Sequence, residues 1–165
     1  MSDEIRRSGT TLTVHLEREY DATAEELWEC LTDPTRLARW LGQPDGPVLG
    51  ATEPVRMAMG DGEDQWVRIQ VLEATRPKTL SLAWEFPGET DTRLRIELVV
   101  VGPRRTRLVL DHDGLGDSST GYGAGWQAYL EGGLLRETGS AVDSAWERRF
   151  EEALPTWRHL AAVSA

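Results

Sequence analysis

Polar and apolar residues alternate from Thr11 to Tyr20, with Leu12, Val14, Leu16 and Tyr20 on one face and Thr11, Thr13, His15, Glu17 and Glu19 on the other. A period of two predicts a half-buried strand. Arg18 falls on the apolar face and is the one break in that pattern. Ahead of this strand, residues 1–9 read as a polar, loose lead-in. After it the period changes. Thr23-Ala-Glu-Glu26 is a capping box that opens a short helix through Leu31, with Leu27, Trp28 and Leu31 on one stripe. Asp33-Pro34 stops that helix and starts another, because Asp caps a helix and Pro suits its first position. Leu37, Trp40 and Leu41 form the apolar face of the second helix, and Gly42 can end it.

The middle of the chain returns to a period of two. Gln43 to Glu53 holds Pro44, Gly46, Pro47 and Gly50 and reads as a loop or weak edge strand. Val55, Met57 and Met59 then alternate with Arg56 and Ala58, and Asp61-Gly62 suits a hairpin turn. Trp66 to Glu73 is strand-like, Arg76-Pro77-Lys78 is a turn, and Leu80, Leu82, Trp84 and Phe86 share a face of the next strand. Pro87-Gly88 turns the chain again, before strands at Thr92–Val101 and Arg105–Asp111 around Gly102-Pro103. Links this short make successive strands antiparallel neighbours, since a parallel crossover needs a dozen or more residues. Gly114 to Gly125 reads as a loop entering a helix on which Tyr122, Trp126, Tyr129, Leu130 and Leu134 lie at helical spacing. Gly132-Gly133 costs that helix about 1 kcal/mol per residue relative to Ala, so a close packing contact or a break is expected there. A last amphipathic segment carries Trp146, Phe150 and Leu154, with Trp157 and Leu160 continuing its face beyond Pro155.

This order, a strand, two short helices, a meander and a helical tail, predicts an α+β layer fold in one domain spanning residues 1–165, with the tail from 139 to 165 packed on it. The 165 residues are enough to bury a core without staples, and the single cysteine, Cys30, excludes an intrachain disulfide. Cys30 sits in an apolar helical stretch and reads as a small core residue. The net charge of −10 argues against nucleic-acid or anionic-membrane partners, because polyanions would be repelled. There is no signal-peptide core and no apolar run of membrane-spanning length, so membrane insertion is not expected and a cytoplasmic protein is.

Several segments resemble a known family: Tyr20-Asp-Ala-Thr-Ala-Glu-Glu-Leu-Trp28, Leu31-Thr-Asp-Pro34, Leu37-Ala-Arg-Trp40-Leu41, Glu73-Ala-Thr-Arg-Pro77 with Leu80 to Trp84, Thr106-Arg-Leu-Val-Leu-Asp-His112 and Gly125-Trp126-Gln-Ala-Tyr-Leu130. Together they resemble the SRPBCC (START/Bet v 1-like) superfamily, in the branch named for the activator of the heat-shock-protein-90 ATPase. The resemblance covers roughly residues 10–160. It implies a helix-grip fold, in which a curved antiparallel sheet of six or seven strands wraps a C-terminal helix and often encloses a hydrophobic cavity. The scaffold serves lipid carriers, polyketide cyclases, receptors and resistance proteins alike, so function must be argued from the site.

The candidate chemistry is sparse. Arg18 points inward by parity; an unpaired buried cation is prohibitively costly, so it grips an anionic or carbonyl group of a ligand, pairs with a carboxylate, or snorkels out at the strand's end. His112 shares parity with Leu108 and Leu110 and either meets a ligand as a proton acceptor or sits satisfied in the core. Asp111 and Asp113 alternate to the other face, and Asp113-Gly114 reads as a turn. His15 and His159 lack metal-spaced partners, Asp61-Gly-Glu-Asp64 is a hairpin tip, and Gly121-Tyr-Gly-Ala-Gly125 is a weak match to a nucleotide-binding loop. No metal, cofactor or catalytic set is expected. What remains is aromatic: Trp28, Trp40, Trp84, Trp126 and Tyr129, joined by Met57 and Met59, as wall or core. The reading is a non-enzymatic binder of a hydrophobic, aromatic or polyketide/lipid-like small molecule in an internal cavity, as monomer or homodimer. The alternatives are a cyclase/dehydratase-like enzyme using Arg18 and His112 in the same cavity, and a co-chaperone-type stimulator of a chaperone ATPase.

Overall fold

The computed structural model describes residues 2–60, 62–143 and 145–164. Its strands are β1 (Glu4–Ser8), β2 (Thr11–Tyr20), β3 (Gln43–Pro44), β4 (Val55–Ala58), β5 (Trp66–Thr75), β6 (Thr79–Glu85), β7 (Thr92–Gly102) and β8 (Arg105–Leu115). They form one sheet in the order β1-β2-β8-β7-β6-β5-β4-β3, antiparallel throughout. The helices are α1 (Ala24–Thr32), α2 (Pro34–Trp40), α3 (Ser119–Ala128), a π turn (Tyr129–Leu134), α4 (Leu135–Glu137) and α5 (Trp146–Val163). This is the helix-grip architecture.

The sheet has eight strands rather than six or seven, and part of the excess is the N-terminal lead-in. Glu4–Ser8 is not loose: it pairs with β2 from Glu4↔His15 to Ser8↔Thr11. Gly9 supplies the positive φ of 63° that a two-residue hairpin turn requires, and Ile5 anchors the strand in the core. β8 also runs longer than its pattern predicts. Asp113-Gly114 is no turn; Gly114, at φ 84°, takes up a bulge where Leu12 pairs Leu115 and Val14 pairs His112. Asp61, the first residue of the predicted Asp61-Gly62 turn, lies outside the described residues.

The helix starts follow their caps. The Thr23 hydroxyl accepts from the Glu26 amide at 3.1 Å, and Asp33 accepts from the Thr35 amide with Pro34 at the first helical position. Inward positions of β2, β4, β5, β6, β7 and β8 meet α1, α2 and α3 in one continuous core. The Gly132-Gly133 pair produces both expected features at once. It lies in the π turn, and a Cβ on Gly133 would stand 2.9 Å from the Trp40 carbonyl oxygen. Bare backbone therefore lets the C-terminal helix lie directly against α2. Tyr20, buried in the core, donates its hydroxyl to the Leu130 carbonyl at 2.7 Å, tying the same turn to β2. Trp157 of α5 fills the notch left by Gly123 on α3 and donates its indole N–H to Gln127 at 2.8 Å.

Candidate functional site

The interior of the grip is nearly full. The space left between sheet and helices is about 20 Å³, lined by apolar side chains including Met57, Ile69 and Leu82, about the room of one water. The large space is a cleft of about 1180 Å³ outside it. Trp40, Leu41, Trp84 and Trp126 line both, so these side chains are the partition between a filled core and an open trough. The expected internal cavity is thus replaced by a cleft, because the rings that could have bordered a chamber close over it.

Each wall follows from local sequence. α2 ends in Arg39, Trp40 and Leu41; the β4–β5 link brings Met59 and Gln65; the end of β6 and its following turn bring Trp84, Phe86 and Glu89. α3 presents Ser118, Gly121, Tyr122, Gly125 and Trp126 at helical spacing, with Tyr129 one turn on. A Cβ on Gly121 would touch nothing within 4 Å, so the small residues of that stripe are what leave the trough open. α5 closes the far side with Trp146 and Phe150.

The rings run as a continuous strip. Trp84 and Trp126 meet edge-on at 5.3 Å, Trp126 and Tyr129 are tilted at 6.0 Å, Tyr129 and Trp146 are tilted at 5.4 Å, and Trp146 and Phe150 stack at 4.9 Å. The floor indoles spend their donors on the protein. Trp40 N–H donates to the Cys30 carbonyl at 2.8 Å, Trp84 N–H to the Tyr122 hydroxyl at 3.3 Å, and Trp126 N–H to His112 Nδ1 at 3.0 Å. The Tyr122 hydroxyl donates its own hydrogen bond to Glu89 at 3.2 Å. Trp40, Trp84 and Trp126 are at most 5% exposed, so they form a packed floor with no free indole donor, and the ring surface open to the cleft comes from the partly buried Phe86, Tyr122, Tyr129, Trp146 and Phe150. Burial pushes the Tyr122 and Tyr129 pKa values up to about 12, so both phenols stay neutral near pH 7. Among the described residues the Tyr129 hydroxyl has no hydrogen-bond partner.

Trp40, Met59, Trp84, Trp126 and Tyr129 thus lie on the cleft, and Met57 on the small inner space. Arg18, Trp28 and His112 line neither. Arg18 is held by Asp3 at 2.6 Å and Glu131 at 2.8 Å, the carboxylate-paired outcome; these contacts keep its pKa above the ordinary value despite the opposing effect of burial. Trp28 is packed in the core. Arg18 faces Leu108 across the sheet while His112 lies further along β8, roughly 13 Å away at strand rise, so the two do not converge on one cavity.

His112 sits behind the floor with both nitrogens engaged. Because Trp126 donates to Nδ1, the imidazole proton sits on Nε2 and is donated to Thr92 Oγ1 at 2.7 Å. That hydroxyl donates onward to the Trp84 carbonyl at 2.9 Å. The circuit fixes Trp84 and Trp126 relative to each other through a neutral histidine. Burial pushes the His112 pKa from 6.5 down to about 3. Above pH 6.5 the folded and unfolded chains both hold it neutral, so its contribution to stability is fully present. As pH falls from 6.5 toward 3, only the unfolded chain takes up the proton, and stability drops by about 1.4 kcal/mol per unit at most. Urea midpoints between pH 6.5 and 5 should fall more steeply for the native protein than for His112→Gln; equal slopes would mean that the imidazole is not held neutral.

Sequence reasoning missed Tyr122, Phe86, Glu89, Trp146 and Phe150. The i, i+4, i+7 spacing of Tyr122, Trp126 and Tyr129 was the available signal for the first. Nothing local indicates that Trp146 and Phe150 face across to α3, since only the tertiary docking of α5 puts them there.

A family model described as "Activator of Hsp90 ATPase homolog 1-like protein" matches residues 21–136. The chain belongs to that family. No protein of curated function matches it in sequence. Among solved structures, CalU16 from Micromonospora echinospora is similar at 23% identity, with a TM-score of 0.73 over 96% of this chain and 95% of that one. DynU16, a protein of the dynemicin biosynthetic locus, is 26% identical with a TM-score of 0.69, over 80% of this chain but 49% of its own length. An HSP90 activator from Plasmodium falciparum is similar at 20% identity and a TM-score of 0.58, covering 72% of this chain and 91% of that one. No helix among the described residues is long and apolar enough to cross a membrane.

Proposed function

We propose that this family member binds a hydrophobic, ring-bearing small molecule in the cleft and holds it without transforming it. The observation that carries this reading is the strip of rings on the cleft: Phe86, Tyr122, Tyr129, Trp146 and Phe150 are partly exposed along it, over a packed floor of Trp40, Trp84 and Trp126 whose N–H groups are already donated to Cys30, Tyr122 and His112. Such a surface is suited to flat apolar area. The cyclase-like alternative depends on Arg18 and His112. Ion pairs engage the first, and hydrogen bonds engage both nitrogens of the second, away from the cleft. The structural likeness to a protein of the dynemicin biosynthetic locus fits an aromatic or polyketide-like ligand. The test uses Gly121→Trp, which fills the trough from a position where a Cβ meets open space. Fused-ring aromatics should quench or shift the native tryptophan fluorescence with saturable binding, and the variant should bind them at least tenfold more weakly while melting at a similar temperature. Equal binding by a folded Gly121→Trp variant, or no binding by any fused-ring compound, would sink the reading.

A further inference from the structure

The rim of the cleft differs in character from its floor. Among the described residues its charged lining is Arg39, Glu89, Asp117 and Glu147. The arginine is already engaged, donating to Glu137 at 2.9 Å. Glu89 accepts from the Tyr122 hydroxyl, which leaves its charge in place. Asp117 and Glu147 are exposed and, among the described residues, have neither a hydrogen bond nor an ion pair. Three carboxylates therefore border a strip of aromatic rings, and the single cation beside them is balanced by a carboxylate that lies outside the lining.

We propose that the molecule seated in this cleft is an aromatic cation, its rings against the partly exposed aromatic strip and its ammonium or iminium group toward the lining carboxylates of Asp117, Glu147 and Glu89. This rests on the ring-binding reading above and adds the charge class of the ligand. Two physical effects favour it together. A cation near the faces of Trp146, Tyr129 and Phe150 is attracted by their quadrupoles, and rim carboxylates at the edge of a low-dielectric trough focus a negative potential into it. An anion of the same shape meets both effects with the sign reversed, and a neutral one meets neither.

The experiment is calorimetric titration of the full chain with three tricycles of similar size: 9-aminoacridinium as the cation, acridone as the neutral ring system and 9-anthracenecarboxylate as the anion. At low ionic strength the cation should bind about tenfold more tightly than acridone and the carboxylate most weakly, with the gap narrowing as salt is raised. In D117N/E147Q the cation should lose at least fivefold in affinity while acridone is unchanged. The control E73Q/E97Q removes the same two charges from exposed positions on β5 and β7, and it should leave the cation's affinity within twofold, which separates the rim from the net charge of the chain. Binding of acridone with no preference for the cation, or a preference that D117N/E147Q leaves intact, overturns the charge assignment and leaves the ring-binding site standing. Failure of all three tricycles to bind overturns both.

Discussion

Gly123→Ala should cost this protein about 3 kcal/mol or more and loosen α5 from the body of the fold. A Cβ at position 123 would stand 2.2 Å from Trp157 Cε3 and 2.3 Å from Cδ2, well inside any tolerated contact. The ring has no room to retreat, because Trp157 is fully buried and its N–H is tied to Gln127. Helix propensity alone predicts the opposite sign, since Ala is favoured over Gly in a helix by about 1 kcal/mol. The direction of the change therefore decides whether the notch matters. Trp157→Ala should itself cost about 3–5 kcal/mol. Because the methyl group added at position 123 would then have space, combining Gly123→Ala with Trp157→Ala should cost almost nothing further. Chemical denaturation of the four proteins in this cycle measures it; additive losses would show that the two residues do not oppose each other.

Trp126→Ala is expected to damage fold and cleft together, by about 3–5 kcal/mol in stability and at least tenfold in affinity for a fused-ring ligand. The indole is 3% exposed, it forms part of the wall between the trough and the 20 Å³ inner space, and its loss leaves His112 Nδ1 without a donor. Against a total stability of order 5–15 kcal/mol for a domain, that loss is large. Trp126→Phe separates the causes. It keeps a ring on the floor but strands a buried acceptor, at about 1–3 kcal/mol. Burial still holds the imidazole neutral, so the acid-side slope assigned to His112 should persist. Thermal melts across pH, together with titration of a fused-ring compound, check both variants. A Phe variant as stable as the native protein would argue against the Trp126–His112 bond.

Much of this molecule could be read from the chain. The alternation at Thr11–Tyr20, the capping box at Thr23 and the Asp33-Pro34 break each specify local structure through rules that act within a few residues, and each element forms where those rules place it. The Gly132-Gly133 pair announced a close contact because two glycines inside a helix have little local justification. β1 was missed because a single apolar residue, Ile5, carries its pattern, and its hydrogen bonds belong to β2. The site was less legible for the same reason. Parity shows that Arg18 and His112 point inward, but parity cannot say whether Asp3 and Glu131, or Trp126 and Thr92, will be waiting for them. Trp146 and Phe150 acquire their place on the cleft through the docking of α5, to which Trp157, about three helical turns from Trp146, and the buried Ala153 contribute.

That seating gives the cleft a mechanical property. One wall is carried by the sheet and α3, the other by a helix held in part through a ring in a glycine notch. A molecule spanning both walls is a cross-brace between two parts of the fold, and it holds α5 down as surely as the notch does. Occupancy and helix docking then draw on the same free energy. The ligand that fits should announce itself in a simple heating experiment, and should do so most loudly in the protein whose notch has been weakened.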